Sequence, residues 1–432
     1  MNTNTFDVIV IGGGASGLMA AGRAAEVLKQ AGKIPKVLLL EKNKKLGEKL
    51  KITGGGRCNI TNAEYDVREL LKYYGDAGKF LFSVFEKFGV KDTFTFFESR
   101  GLPLVVEERK RAFPATHKAL DVYMVLEKYV KDGGVEIKTG SPVTKVNIEK
   151  HTAGQNKIIS VQCGVQEYFA KNFIFATGGA SHRETGSTGD GFNWLRDLGH
   201  TVVTPTPSIV PLAVEDTWSK KLAGITLEDM KITFYVDGVK DFSKKGRLLF
   251  THFGLSGPLI LNSATTVADL LPAGTVTAII DPFPAEDLGA FEKRIIGIFD
   301  NNKNKILKNV LSEIVPAGMA KGILFLIENH TEAKGKIDLS KQVNDVRVEE
   351  RKKLVHLLKG LPVSITGLMG DDRAVVSDGG VSLEEIDMRT MKSKVIENLH
   401  VTGDLLHINR PSGGYSLQLC WTTGYVAGGE VG

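Results

Sequence analysis

The stretch FDVIVIGGGASGLMAAGRAA, residues 6–25, limits what this chain can fold into more than any other part of it. Phe6–Ile11 is dominated by apolar, β-branched residues and predicts a parallel strand buried on both faces. Gly12, Gly14 and Gly17 follow at G-x-G-x-x-G spacing, and Leu18–Ala31 reads as a helix rich in small residues with Gly32 as its stop. A second buried strand is predicted at Val37–Leu40, ending on Glu41. Each piece has a physical task. Gly12 makes the turn, Gly14 lets backbone approach a pyrophosphate, Gly17 lets helix meet strand, and the helix N-terminus faces the phosphates. Glu41 then accepts from a ribose, which disfavours a ligand carrying a 2′-phosphate. Glycines alone would signify only a tight turn. Strand, glycines, helix, strand and acid in register point to an adenine dinucleotide.

Bulk properties narrow the class. A chain of 432 residues is too long for one simple core, and 48 glycines suggest many tight turns and close backbone approaches. A net charge of +5 favours anionic ligands but falls well short of a polybasic nucleic-acid surface, so no nucleic-acid partner is expected. Cys58, Cys163 and Cys420 lie far apart, without C-x-x-C spacing, which fits a reducing cytoplasm and removes the dithiol relay of a disulfide reductase. The expectation is a cytoplasmic protein. No signal segment is legible at the N-terminus, and no apolar run approaches the ~20 residues that span a bilayer. No His, Cys and Asp cluster has metal-ligand spacing, so no metal is expected.

Three later segments separate flavin from nicotinamide. KITGGGRCNITN (51–62) is a loop able to wrap a bulky planar group; KNFIFATGGAS (171–181) is a buried strand running into a glycine turn; and LHVTGDLL (399–406) repeats that arrangement ahead of RPSGGYSLQLCWTTGYVAG (410–428). Glycine turns at strand ends from the beginning, middle and end of the chain suit an extended FAD. A dinucleotide held mostly near the first turn would not need them.

On these residues the sequence resembles the BaiN/YhiN-like, aminoacetone-oxidase-like family of FAD-dependent oxidoreductases. The resemblance is carried by GGGASGLMAA, GEKLKITGGGRCNITN, RAFPATHKALDV, ATGGASHRETGSTGDGFNWLRDLGH, THFGLSGPLIL, AVVSDGGVSLEEIDMRTMKSK and GGYSLQLCWTTGYVAG, which run the length of the chain. It implies an α/β fold: a glutathione-reductase-type, Rossmann-like FAD-binding domain interrupted by a β-rich, barrel-like domain and a small helical one. Two departures stand out. Many members carry Glu where this chain has Asp404, and Asn where it has Ser416.

The expected organisation follows. Residues 1–193 are the first part of the FAD-binding domain, with an amphipathic helix over Leu70–Phe88, a hairpin in LPLVVEERKRAFP, a helix over Ala119–Lys131 and a strand Val135–Lys138 leading to Ser141-Pro142-Val143, where many FAD proteins clamp the adenine. Residues 194–282 are the inserted β-rich domain, 283–358 a helical subdomain, 359–370 a return strand of the β-rich domain, and 371–432 the second part of the FAD-binding domain. The expected cofactor contacts are Gly12, Gly14, Ala15, Ser16, Gly17, Glu41 and Lys42; Gly56, Arg57, Cys58 and Asn59; Val143; Ala176, Thr177, Gly178 and Gly179; and Gly403, Asp404, Gly413, Gly414, Tyr415 and Ser416.

Gly413 and Gly414 precede a helix whose N-terminus, placed as the resemblance implies, points at the flavin pyrimidine ring. Its backbone N–H groups would raise the reduction potential without a charged side chain. The catalytic residues are not identified. Cys58 either touches the flavin or packs as a small buried hydrophobe. His182 and Arg183 either face substrate or cap the turn. His252, read as lying at a helix entry, is either an acid or structural. The lysines 42, 44, 45, 49 and 51 either attract phosphates or, the preferred reading, form a solvated basic loop. The function expected is hydride exchange between flavin N5 and a small organic substrate held between the flavin domain and the inserted β domain, with NAD(P)H, as a transient co-substrate, or dioxygen in the other half-reaction. The resemblance suggests amine or ketone oxidation, or reduction of an enone-type carbon–carbon bond. The alternatives are a flavin-bound redox sensor that does not turn over, and an RNA-modifying flavoprotein, which the modest charge disfavours. The purified protein should be yellow and release FAD, not FMN, on denaturation; colourless protein that FAD cannot reconstitute would contradict the reading.

Overall fold

The structure, a computed structural model, describes residues 4–150, 154–329, 337–369 and 376–431. The first strand, Thr5–Ile11, has Val8, Ile9 and Val10 fully buried, which is why its sequence is an apolar run and not an alternating one. It pairs in parallel with Val37–Leu40 on one side and with Gln166–Phe175 on the other. Val37–Leu40 pairs in turn with Glu136–Lys138, and Gln166–Phe175 with Leu399–Val401, again in parallel. The chain thus builds outward from the first strand in one direction and then in the other. That reversal leaves a crevice at the C-terminal ends of Thr5–Ile11 and Gln166–Phe175, where open α/β sheets take their ligands. Among the described residues the sheet has nine strands, including the antiparallel meander Lys145–Glu149, Lys157–Cys163 and Gln166–Phe175.

Two helices lie along this sheet. Ala15–Gln30 follows the glycine turn and packs its fully buried Ala20, Ala21, Ala24 and Ala25 inward. Tyr415–Gly429 is buried nearly all round and runs parallel to it. A Cβ on Gly424 would lie 2.4 Å from the carbonyl oxygen of Ser16, and one on Gly428 would lie 2.4 Å from that of Ala20. The helices therefore touch backbone to backbone. Because Gly424 is level with Ser16, the last helix begins about 12 Å beyond the start of the first, at 1.5 Å of rise per residue.

The expected helix over Leu70–Phe88 is broken. Val67–Leu71 and Gly78–Lys87 are α-helical, but Lys72–Ala77 is a tighter turn in which Gly75 takes φ +53° and ψ −135°. An apolar period of 3.6 continued across that kink and concealed it. The hairpin forms as Leu104–Glu107 against Arg111–Pro114, and Thr61–Asn62 joins it as a third strand.

The chain packs into two compact units, Met1–Pro207 with Asp371–Gly432, and Ser208–Gly370. The first unit extends to Pro207 because Val202–Ser208 pairs with the returning strand Val376–Val381. The opening residues of that return, Ala374 and Val375, lie outside the described residues. The second unit is a closed barrel of Leu212–Val214, Gly254–Ser256, Val239–Phe250, Thr226–Val236, Val276–Asp281 and Leu361–Leu368. Helices Leu288–Asn301, Leu307–Ile314, Ala320–Asn329 and Val348–Lys359 share its core, so the helical and β-rich stretches are one packed body. No described helix is long and apolar enough to cross a membrane.

Gly428→Ala should destabilise the first unit by ~1–3 kcal/mol, since the new methyl meets a backbone carbonyl that cannot yield. Gly297→Ala, in helix Leu288–Asn301 with nothing within 4 Å of the added Cβ, should instead stabilise by ~0.5–1 kcal/mol. Thermal denaturation of both variants reads the opposite signs.

Candidate dinucleotide site

Gly12 takes φ +107°, and a Cβ there would lie 2.4 Å from the Ala176 carbonyl oxygen. Only glycine permits both. A Cβ on Gly17 would lie 1.8 Å from the Gly12 carbonyl oxygen, so the helix abuts the turn directly. Gly14 differs: a Cβ there would meet nothing within 4 Å. The backbone at Gly14 therefore faces open space. Helix Ala15–Gln30 starts beside it with no side-chain cap and no acid in its first turn. Unclaimed N–H groups at the positive end of a sixteen-residue helix are suited to a phosphate. Ser16 lies in that first turn and takes a hydrogen bond from the Thr402 hydroxyl at 3.2 Å.

A cleft of about 430 Å³ adjoins the turn, lined among others by Gly12, Glu41, Lys42, Val143, Thr177, Thr188, Asp190 and Trp194. The Glu41 carboxylate accepts from the Gly13 N–H and the Asn43 N–H, each at 2.8 Å, so it holds the glycine loop as well as facing the cleft. Lys42 pairs with Asp190 at 2.8 Å and also donates to the Thr188 hydroxyl. Asn43 Nδ2 donates to the Thr185 carbonyl oxygen at 2.8 Å. These bonds fasten the segment 182–190 across the cleft. His182 and Arg183 belong to that segment: His182 Nδ1 lies 2.8 Å from Glu184, and Arg183 donates to the Thr188 carbonyl oxygen at 3.3 Å. The Thr177 hydroxyl is buried and has no hydrogen-bond partner among the described residues. Buried polar groups are seldom left unpaired. Ala176, Gly178 and Gly179 flank Thr177, and Gly178 takes φ +74°.

In the GGGRCN loop, Gly54, Gly55 and Gly56 all have positive φ. Arg57 pairs with Glu107, lies 2.8 Å from His117 Nδ1 and stacks on Phe113 at 4.2 Å, bracing the loop against the hairpin. Cys58 is fully buried, and burial pushes its thiol up to about 12, so it packs as a neutral hydrophobe and is no nucleophile. Asn59 Oδ1 is a second buried atom without a partner.

The last helix departs from expectation in two ways. Gly414 takes φ +101°, but its Cβ would lie 2.3 Å from the Thr61 carbonyl carbon and 2.6 Å from the Asn62 nitrogen. The close approach that demands glycine is to the protein's own strand. Gly413, at φ +129°, would meet the Tyr415 ring at 3.2 Å. The helix start also has a charged neighbour, contrary to the reading of bare N–H groups alone. Arg410, 3% exposed, pairs with Asp404 and donates from Nε to the Ser416 hydroxyl at 3.1 Å. One side chain thus joins Asp404 and Ser416, the two departures from the family pattern. Tyr415 is buried and stacks on Tyr73 at 4.7 Å, its phenol pushed up by burial. Gly403 sits against the first helix, its Cβ position 2.9 Å from Ser16 Oγ.

The lysine run is not one solvated face. Lys44 and Lys45 are exposed, Lys42 is ion-paired, and Lys51 lies 4.0 Å over the Tyr123 ring. Lys49 is desolvated and donates to Ser181 Oγ at 3.0 Å. His252 is exposed at a barrel turn between Val239–Phe250 and Gly254–Ser256, with the helix starting only at Pro258. Lys49 was read only as one of the lysine run and Arg410 was not singled out, although it stands three residues before Gly413. Among the described residues no group of three or more His, Cys, Asp or Glu could hold a metal ion.

The fold and this site define an FAD-dependent oxidoreductase, built on a Rossmann-type domain with an inserted barrel. The chain belongs to the HI0933-like family: residues 6–430 match the HI0933-like protein Rossmann domain. It is 29% identical over 420 residues, 97% of each chain, to a 3-dehydro-bile acid delta(4,6)-reductase of Clostridium scindens. It is 26% identical over 418 residues, 97% of this chain and 96% of the other, to a ribosomal RNA dihydrouridine synthase of Haemophilus influenzae. The fold is also that of a 3-ketosteroid delta1-dehydrogenase from Sterolibacterium denitrificans, with a TM-score of 0.54, 12% identity and 99% of each chain covered. The open backbone at Gly14, the uncapped first helix and the unpartnered Thr177 hydroxyl suit FAD.

Thr177→Val should weaken FAD binding about three- to tenfold, a neutral hydrogen bond being worth ~0.5–1.5 kcal/mol. The apoprotein should melt no lower than wild type, because the hydroxyl has no protein partner to lose. Fluorescence titration of apoprotein with FAD, beside apoprotein melts, measures both.

Proposed function

We propose that this chain reduces a carbon–carbon double bond conjugated to a carbonyl, drawing electrons from NAD(P)H through bound FAD. The observation that carries the reading is the pair of parallel helices with uncapped starts, the second beginning about 12 Å beyond the first. In this reading the start of Ala15–Gln30, with Gly12, Gly14 and Ser16, holds the pyrophosphate. Glu41, Lys42, Val143 and Thr177 hold the adenosine end, and His182 and Arg183 secure the segment that covers it. Gly403, Asp404 and the start of Tyr415–Gly429 hold the ribityl chain and ring, with Gly56 and Asn59 beside them.

When bound, FAD supplies two-electron exchange at its isoalloxazine N5. The protein's part is to orient the ring, exclude water and favour negative charge at the helix start. Glu41 makes the adenosine end selective, since a carboxylate repels a 2′-phosphate. Two relatives bear on the substrate. One is named for reducing a 3-dehydro-bile acid, the other for making dihydrouridine in ribosomal RNA. Both names describe saturation of a double bond beside a carbonyl, which favours this reaction over amine oxidation. A small molecule is the preferred substrate because a net charge of +5 over 432 residues is little for an RNA-binding surface. The second relative's name keeps RNA as the second reading.

Anaerobic stopped-flow mixing with NADH or NADPH should bleach the yellow protein. A 3-oxo-4,6-diene steroid should then restore the colour over many turnovers. Recovery with a uridine-bearing ribosomal RNA fragment instead would establish the second reading. Reoxidation only by air, without turnover of either acceptor, would overturn both.

A further inference from the structure

The account above uses Asp404 but not the charge network around it. The Arg410 guanidinium pairs with Asp404, donates from Nη1 to the Ile408 carbonyl oxygen at 2.6 Å and from Nε to Ser416 Oγ at 3.1 Å. Ser416 lies in the first turn of Tyr415–Gly429, an end made positive by its N–H groups and carrying no acid. Cations belong at the other end of a helix, so a guanidinium here opposes the macrodipole. Lys49 adds a second cation. Its ammonium donates to Ser181 Oγ, and among the described residues it forms no ion pair with a carboxylate. Burial holds its pKa below the ordinary lysine value, while Asp404, the strongest charged influence on it, pulls it back up. Asp404 is already committed to Arg410. The Cys420 thiol, pushed up to about 12 by burial and by Asp404, contributes no negative charge at neutral pH.

Arg410, buried, and Lys49, part-buried, thus face one carboxylate within the network, Asp404, while the more distant Glu184 also acts on Lys49 and is itself held by His182. Such an imbalance is costly unless an anion completes it. The network lies where the sheet's last strand meets both helices: Gly403 abuts Ser16 at the start of the first, and Arg410 reaches Ser416 at the start of the last. It runs along the stretch between the two helix starts, with Arg410 at the far end.

We propose that Arg410 and Lys49, sharing Asp404, are positioning residues that stabilise negative charge on the reduced flavin ring, so that the charge of this cluster sets the reduction potential of the bound cofactor. The proposal rests on FAD lying with its ring end at Tyr415–Gly429. Removing a cation then makes reduction harder, and removing the carboxylate makes it easier. Arg410, at the ring end, has the larger effect, and Lys49 a smaller one of the same sign.

The test is potentiometric titration of the bound flavin in wild type, Arg410→Gln, Lys49→Gln and Asp404→Asn, each checked for full FAD occupancy. Arg410→Gln should shift the reduction equilibrium about tenfold toward oxidised flavin, about 30 mV for a two-electron couple. Lys49→Gln should shift it the same way by less, and Asp404→Asn the opposite way. A general loosening of the site would move all three in one direction, and that result would overturn the proposal, as would unchanged potentials. Should Arg410→Gln fail to fold, the opposite signs of Lys49→Gln and Asp404→Asn decide it. Wild-type protein without FAD would sink the cofactor reading itself, a separate result.

Discussion

Contact between helices Ala15–Gln30 and Tyr415–Gly429 is the constraint on which the rest of the FAD-binding unit depends. Gly424 and Gly428 let the second helix ride on the carbonyl oxygens of Ser16 and Ala20. Any side chain there would force the axes apart. With the helices locked, the second begins about 12 Å beyond the start of the first, so residues some 400 positions apart in sequence are fixed relative to one another. The glycine turn obeys the same rule on a smaller scale. Gly17 presses on the Gly12 carbonyl oxygen, and Gly12 on that of Ala176. Close packing leaves Gly14 as the position where backbone opens to a ligand.

Charge follows from that packing. The uncapped start of Ala15–Gln30, with no acid in its first turn, suits an anion, and the side chains around it divide the work. Glu41 spends its carboxylate on the Gly13 and Asn43 N–H groups, which stiffens the glycine loop. Lys42 is used up by Asp190 in fastening the covering segment. Lys49 is desolvated and bonded to the Ser181 hydroxyl, and Arg410 is buried against Asp404. A run of lysines close in sequence therefore holds four different environments.

Much of this was legible from the residues. The first strand is apolar because it is buried on both faces. Gly12 and Gly17 have the steric reasons that their spacing already implies. Alternating and helical patterns marked the barrel and the helices that share its core. The misreadings have local causes. Periodicity ran across the kink at Gly75 because the apolar period was the same on both sides. That Gly414 must be glycine because the Thr61–Asn62 backbone stands where its Cβ would go was not legible, since a sequence does not show what an absent Cβ would strike.

What the sequence by itself determined is the class of ligand and the strand–turn–helix that receives it, because those depend on neighbours a few residues apart. What only the tertiary structure decided is which distant side chains complete the site. Arg410 reaches both Asp404 and Ser416, Lys49 reaches Ser181, and Asn43 meets Thr185. None of these pairings has a period or a spacing. They exist because the sheet order brings the ends of strands from three parts of the chain to one edge, and the burial that follows turns ordinary surface residue types into a charged interior.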